Sequence, residues 1–186
     1  MRIVGGRHRG RALAAPEGRA VRPTSDRARE ALFDILAHGR FGDRPVYEEA
    51  RVLDAFAGTG AFGLEALSRG ALHASFIEKD RAALAALRAN VVKLGETETT
   101  ALLRGDALYP PRAAAPCTLA FIDPPYGEDL ATPALDALAK AGWFAPQALI
   151  VVEVAAKQKL LEPAGFSLLV ERRYGAARLV FVRAPT

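Results

Sequence analysis

The sequence predicts an α/β fold in which helices cover both faces of a doubly wound, mostly parallel sheet. From residue 51 onward, short apolar runs alternate with segments whose apolar residues recur at helical spacing. The apolar run at residues 149–154 is typical of a strand buried on both faces of a parallel sheet. The chain has 186 residues, a length that suits one domain with a sizeable core.

Each predicted element has its own local signal. Pro23-Thr24-Ser25-Asp26 is a capping pattern that begins a helix, and Gly39 ends this helix. Asp80 is predicted to cap a later helix that ends at Gly95, and further helices are predicted over about 61–69 and 132–141. The seven predicted strands lie at 52–56, 74–78, 99–103, 119–122, 149–154, 166–171 and 178–182. The last two flank Gly175 and predict an antiparallel pair, which makes the sheet mixed.

Charge is distributed unevenly along the chain. The whole chain has a net charge of +4, but its first 29 residues contain eight arginines and two acids, a net charge of +6. Glycines and prolines interrupt residues 1–23, so we expect a short basic hairpin or irregular arm there, in front of one domain over 24–186. Arg7, Arg9 and Arg11 alternate and would lie on one side of an extended strand. This pattern favours a polyanionic partner such as nucleic acid, with a solvated arm as the alternative.

Composition argues against several other classes of protein. No apolar run is long enough to span a bilayer, and the N-terminus lacks the apolar region of a secretory signal. The single cysteine, Cys117, is expected to be a small core residue in a reducing, cytoplasmic compartment. His8, His38 and His73 are scattered, so no metal site is expected.

A glycine loop follows the first strand of the predicted sheet. Gly58, Gly60 and Gly63 match the G-x-G-x-x-G fingerprint of dinucleotide-binding proteins, and Glu78 follows at the end of the next strand. Glu78 can accept two ribose hydroxyl groups whichever cofactor binds. Asp54, at the end of the first strand, would repel a pyrophosphate. It favours a cofactor with an ammonium or sulfonium group, such as S-adenosylmethionine, over NAD.

A second motif, Asp123-Pro124-Pro125-Tyr126, follows a predicted buried strand. The two prolines fix the backbone as a stiff, extended turn. An amino group in the plane of a flat ring could donate to Asp123 and to the Pro124 carbonyl, while the ring stacks on Tyr126. The alternative is a proline-stiffened loop whose aspartate caps a helix.

Four acids fall at the carboxyl ends of predicted strands, where open α/β sheets bind ligands. They are Asp54, Glu78, Asp106 and Asp123. Asp106, after the third strand, could accept a hydrogen bond from an adenine amino group. Each acid could separately cap a helix, but four together favour a ligand site.

These motifs resemble those of class I, Rossmann-like methyltransferases, which use S-adenosylmethionine and act on exocyclic amines. The segments Ile3-Val4-Gly5-Gly6-Arg7, Arg9-Gly10-Arg11 and Arg22-Pro-Thr-Ser-Asp-Arg27 resemble, more narrowly, the family of ribosomal RNA small subunit methyltransferase D. This resemblance implies methylation of the N2 amine of one guanine in 16S rRNA, by a cytoplasmic monomer that acts on the small ribosomal subunit. A DNA adenine-N6 methyltransferase and a non-catalytic nucleotide-binding or RNA-binding module are the alternatives.

The predicted site residues fall into three groups. The catalytic residues are Asp123, Pro124, Pro125 and Tyr126. The cofactor-binding residues are Thr24, Asp54, Phe56, Ala57, Gly58, Gly60, Glu78, Lys79, Asp106, Ala107 and Asp123. The RNA-binding residues are Arg7, Arg9, Arg11, Arg22 and Arg27.

Overall fold

One mixed sheet forms the centre of the protein. The computed structural model describes residues 1–16, 26–39, 41–125, 129–158, 160 and 164–186. Within these residues the strands are β1 Arg51–Ala55, β2 His73–Glu78, β3 Thr100–Arg104, β4 Cys117–Ile122, β5 Phe144–Ala155, β6 Ser167–Tyr174 and β7 Ala177–Arg183. The helices are α1 Asp26–His38, α2 Ala61–Ser68, α3 Arg81–Leu94 and α4 Ala131–Lys140.

The strand order confirms the predicted doubly wound, seven-stranded sheet. The order is β3-β2-β1-β4-β5-β7-β6, in which β1 to β5 pair in parallel and β7 runs antiparallel to both β5 and β6. The winding direction changes between β1 and β4, and open α/β sheets bind ligands outside the carboxyl ends of the strands at such a point. The largest boundary difference is in β5, which begins at Phe144 because Phe144 pairs with Cys117 across a register shift.

Alternate residues of the strands face two separate cores. Val52 and Phe76 lie in the core that α1, α2 and α3 cover, whereas Leu53 and Ile77 lie in the core that α4 covers. The strands are therefore buried on both faces, as their apolar runs indicate. Among the residues that the structure describes, no helix has the length and apolar character to cross a membrane.

The N-terminal segment is attached to the body of the protein. Ile3 and Leu13 are buried in the core. The backbone amides of Val4 and Gly5 each donate to a carboxylate oxygen of Glu65 in α2, both at 2.8 Å. This part of the predicted basic arm is therefore held by buried contacts. The predicted domain boundary at residue 23 lies outside the described residues.

The predicted stripe of three arginines on an extended strand is wrong. Gly6–His8 form a turn of 3-10 helix, which Gly6 enters with a φ of 72°. Arg7 turns towards the body, where its guanidinium donates to Glu96 at 2.6 Å. Arg9 and Arg11 remain exposed. Contacts with distant residues, rather than strand periodicity, determine where these side chains lie.

Glu65 also connects the N-terminal segment to two arginines. Its carboxylate, which is fully buried, lies 2.8 Å from Arg69 Nε and 3.4 Å from the Nε of Arg29, whose side chain is fully buried too. Removing one partner of a buried ion pair leaves an uncompensated charge in the interior. The stability of this region should therefore depend on the charge of Glu65.

We expect Glu65→Gln to lower the free energy of unfolding by about 2–3 kcal/mol, because the variant keeps the shape but loses the charge that both guanidinium groups face. Urea denaturation measures the change. Glu98→Gln, at an exposed position, is the matched control and should have little effect. An unchanged denaturation midpoint for Glu65→Gln would contradict this role.

Candidate active site

A cavity of about 820 Å³ opens at the carboxyl edge of the sheet. The segments that follow β1, β2, β3 and β4 all contribute to its wall, and Glu153 of β5 and Tyr174 of β6 complete the far side. Met1 and Ala28 also line it, so the N-terminal segment and α1 border the same space. One half of the cavity therefore lies over β1 to β3 and the other over β4 to β7.

The loop between β1 and α2 takes its shape from packing as well as from the cavity. Gly58 lines the cavity with a φ of 55°, and an added Cβ would meet open space. A Cβ on Gly63 would lie 2.4 Å from the ring of Phe76, and a Cβ on Gly60 would lie 2.3 Å from a methyl group of Leu87. Gly60 was predicted to contact the cofactor. It packs against the core instead, whereas Gly58 faces the cavity.

Glu78 holds the glycine loop and the start of the next segment together. Its Oε2 accepts from the Gly58 amide and its Oε1 from the Asp80 amide, both at 2.7 Å. Each carboxylate oxygen can accept more than one hydrogen bond. The carboxylate lines the cavity, so it can bind ligand hydroxyl groups while it fixes the loop.

Asp54 is a buried carboxyl group beneath the same loop. Its Oδ2 accepts from the Gly63 amide at 2.9 Å. Burial raises the pKa of Asp54 to about 7, and the negative charge of Glu78 acts in the same direction, whereas the Gly63 amide opposes the rise. A cation placed in the cavity would therefore stabilise the ionised form of Asp54.

Asp106 and Lys79 form a pair at the edge of the cavity. Lys79 Nζ lies 3.2 Å from Asp106 Oδ2, and Asp106 Oδ1 accepts from the Leu108 amide at 3.0 Å. Both residues line the cavity together with Ala107 and the strand-end residue Phe56. The structure thus brings the predicted adenine-binding acid to the site, with one oxygen already paired with a lysine.

The Asp123-Pro124-Pro125 segment continues directly from β4. The Asp123 amide donates to the carbonyl of Ala55 at 3.4 Å, so the segment starts in register with β1. All three residues line the cavity, and Pro124 is buried. Burial raises the pKa of Asp123 well above its usual value, and the charges of Glu153 and Asp54 add to this rise.

Glu153 belongs to none of the sequence motifs that predicted the site. This residue interrupts the apolar run at 149–154, and it is buried and lines the cavity beside the predicted catalytic segment. An acid within a run that is otherwise apolar is a signal that could have found it, because such residues are rarely buried without a specific environment.

Three predicted site residues, Thr24, Tyr126 and Arg22, lie outside the described residues. Arg27 is exposed on α1, next to Ala28 of the cavity wall. The structure therefore brings one predicted RNA-binding residue close to the cavity.

Comparisons with known proteins identify relatives of this chain. The family described as conserved hypothetical protein 95 matches residues 1–183. Ribosomal RNA small subunit methyltransferase D of Escherichia coli strain K12 is 39% identical over 176 residues, which cover 94% of this chain and 85% of the relative. The protein of the same description from Haemophilus influenzae is 34% identical over 179 residues, covering 94% and 89%. The solved structure of the Escherichia coli protein yhhF is 37% identical, with a TM-score of 0.85, and covers 100% of this chain and 98% of that one.

Proposed function

Because the chain belongs to the family of ribosomal RNA small subunit methyltransferase D, we propose that it methylates the exocyclic N2 amine of a guanine in 16S rRNA. The single observation that carries the proposal is the cavity, which joins a carboxylate-lined half over β1 to β3 to the Asp123-Pro124-Pro125 segment. The enzyme is proposed to act as a cytoplasmic monomer on the small ribosomal subunit.

The first half of the cavity fits S-adenosylmethionine. This cofactor carries the transferable methyl group on a sulfonium, together with an α-ammonium group and two ribose hydroxyl groups. Glu78 is suited to the ribose hydroxyl groups, Asp54 to the cationic end, and Asp106 to the adenine amino group. Asp54 lies beneath the glycine loop, where its negative charge would repel the pyrophosphate of NAD.

The second half supplies acceptors for a planar amine. The lone pair of an exocyclic guanine amine is delocalised into the ring, so the nitrogen is a weak nucleophile. Hydrogen bonds from its two N–H groups to Asp123 and to the Pro124 carbonyl would localise that pair and fix its direction. Positioning of this kind can contribute roughly 7–11 kcal/mol of barrier reduction. After transfer the nitrogen must lose a proton, and Asp123, whose pKa is raised, is suited to accept it.

The test of this function is methyl transfer from labelled cofactor to three substrates, namely undermethylated small subunits, naked 16S rRNA and duplex DNA. We expect incorporation into subunits and little into DNA. Efficient labelling of duplex DNA would instead support a DNA adenine-N6 methyltransferase, and binding without turnover would support a non-catalytic module.

The affinity for S-adenosylhomocysteine, the demethylated product of the cofactor, should rise with pH through about 7, because Asp54 must be ionised to bind the α-ammonium group. Below that pH the dissociation constant should increase, approaching about tenfold per pH unit. Calorimetry from pH 5.5 to 8.5 measures the dissociation constant. Asp54→Asn, which can keep the bond to the Gly63 amide, should bind weakly with a flat profile. A wild-type affinity that does not change with pH would contradict the assignment.

Exposed arginines of the N-terminal segment should control the salt dependence of RNA binding. We expect Arg9→Ala and Arg11→Ala each to lower the slope of log affinity against log salt by about 0.7–0.9 for one lost phosphate contact. Arg7→Ala should lower it less, since Arg7 is paired with Glu96. Filter binding to small subunits at several salt concentrations measures the slope. Lys140→Ala is the control, because Lys140 lies in α4 on the opposite face of the sheet. If the arginine variants left the slope unchanged, the RNA would bind elsewhere on the protein.

A further inference from the structure

Glu153 lies near the carboxyl end of β5, within a run of apolar residues. Its neighbours Val152 and Val154 in β5 are buried, and its own side chain is only 7% exposed. Glu153 also lines the cavity, in the half that contains Asp123. This placement indicates a role towards a ligand of that half.

The register of the sheet places Glu153 beside Asp123. Ile122 of β4 pairs with Val152 of β5 in the parallel ladder. The next residues, Asp123 after β4 and Glu153 within β5, therefore lie side by side at the carboxyl edge of the sheet, on backbones about 5 Å apart. The negative charge of Glu153 contributes to the raised pKa of Asp123, in agreement with this proximity.

Two neighbouring carboxyl groups are complementary to a row of hydrogen-bond donors. The Watson–Crick edge of guanine presents N1–H next to the two hydrogens of N2. The corresponding edge of adenine presents the two hydrogens of N6 next to an N1 lone pair. Enzymes that act on an unstacked base distinguish bases by hydrogen bonds to this edge. Facing Asp123 and Glu153, guanine places a proton opposite each carboxylate, whereas adenine places one lone pair against a carboxylate oxygen.

We propose that Glu153 is the specificity-determining residue that selects guanine over adenine, by accepting a hydrogen bond from N1–H of the target base. The inference rests on the proposed function, in which Asp123 and the Pro124 carbonyl accept from the exocyclic amine of the same base. In this arrangement Glu153 selects guanine over adenine, and Asp123 orients the exocyclic amine of the bound base. A site built to accept a substrate N–H rejects an analogue that lacks it, because the buried acceptor is left without its partner.

The test replaces the target guanine with 2-aminopurine, which keeps the N2 amine but has no hydrogen on N1. The position methylated by the wild type is mapped first. Small subunits are then reconstituted with 16S rRNA ligated from pieces that carry either base at that position. Single-turnover rates are measured for the wild type, Glu153→Gln and the exposed control Glu98→Gln, so that a slow variant still gives a ratio. S-adenosylhomocysteine affinity and thermal unfolding are measured for each protein.

The wild type and Glu98→Gln should methylate guanine about 10- to 100-fold faster than 2-aminopurine, the range expected for a hydrogen bond to a charged group. In Glu153→Gln the rate on guanine should fall while the rate on 2-aminopurine does not, so the ratio should approach one. Cofactor affinity should stay unchanged. A neutral glutamine can donate to the N1 lone pair as well as accept from N1–H, which explains the loss of preference.

Two results would overturn the inference. The first is a wild type that methylates 2-aminopurine as fast as guanine. The second is a Glu153→Gln variant that methylates both bases more slowly by the same factor, as expected for a structural role alone. Failure of the proposed function is a different result. In that case the wild type would form no N2-methylguanosine on unsubstituted subunits, and this inference would fall with it.

Discussion

Asp123→Ala should lower the rate of methyl transfer at least about 10³-fold, or about 4 kcal/mol in barrier, while cofactor affinity stays within about tenfold. The variant removes the carboxylate that accepts an N–H of the amine and the group proposed to take its proton. Those contacts matter in the transition state rather than in cofactor binding. Single-turnover methylation of small subunits gives the rate, and calorimetry with S-adenosylhomocysteine gives the affinity.

The control for this variant is Asp136→Ala, which removes an exposed carboxylate paired with Lys140 in α4. It should leave both quantities unchanged. If Asp123→Ala kept a tenth or more of the wild-type rate, Asp123 would not have the role assigned to it. A large loss of cofactor affinity in the same variant would instead place Asp123 with the cofactor.

Glu78→Ala should produce the opposite pattern. Affinity for S-adenosylhomocysteine should fall about 100- to 1,000-fold, or about 3–4 kcal/mol, because two hydrogen bonds to a charged acceptor are lost. The loop should lose its anchor as well, since the carboxylate accepts from the amides of both Gly58 and Asp80. Calorimetry measures the affinity, and the rate at saturating cofactor should fall much less than the rate at low cofactor.

Glu98→Ala serves as the matched control, since it removes an exposed glutamate before β3. An affinity of Glu78→Ala within about tenfold of the wild type would exclude Glu78 as a ribose ligand. Thermal unfolding of the same sample distinguishes lost cofactor contacts from a destabilised fold.

Local sequence signals predicted most of the fold because local interactions begin and end its elements. Asp80 caps α3 by accepting from the amides of Ala82 and Ala83, and Gly95 ends that helix with a φ of 74°. The acids at strand ends meet in one cavity because the carboxyl ends of parallel strands share an edge of the sheet. Periodicity and the positions of the acids at predicted strand ends were therefore sufficient to predict this part of the site.

Contacts between distant residues could not be predicted in the same way. Glu65 binds the amides of Val4 and Gly5 about 60 positions away in sequence, and the Arg7–Glu96 pair spans 89 positions. No periodicity or capping signal relates such residues, so the arginine stripe expected from an extended strand was wrong. Glu153 was overlooked for another reason, since the apolar run around it predicted only a buried strand.

The proposed function requires that the Asp123-Pro124-Pro125 segment and its half of the cavity bind a guanine amine. The most direct test is the identity of the methylated nucleoside. Undermethylated small subunits are incubated with the wild-type protein and labelled S-adenosylmethionine, and the rRNA is digested and analysed by mass spectrometry. We expect one N2-methylguanosine per subunit and no labelled adenosine. Labelled N6-methyladenine in duplex DNA, with subunits left unmodified, would contradict it.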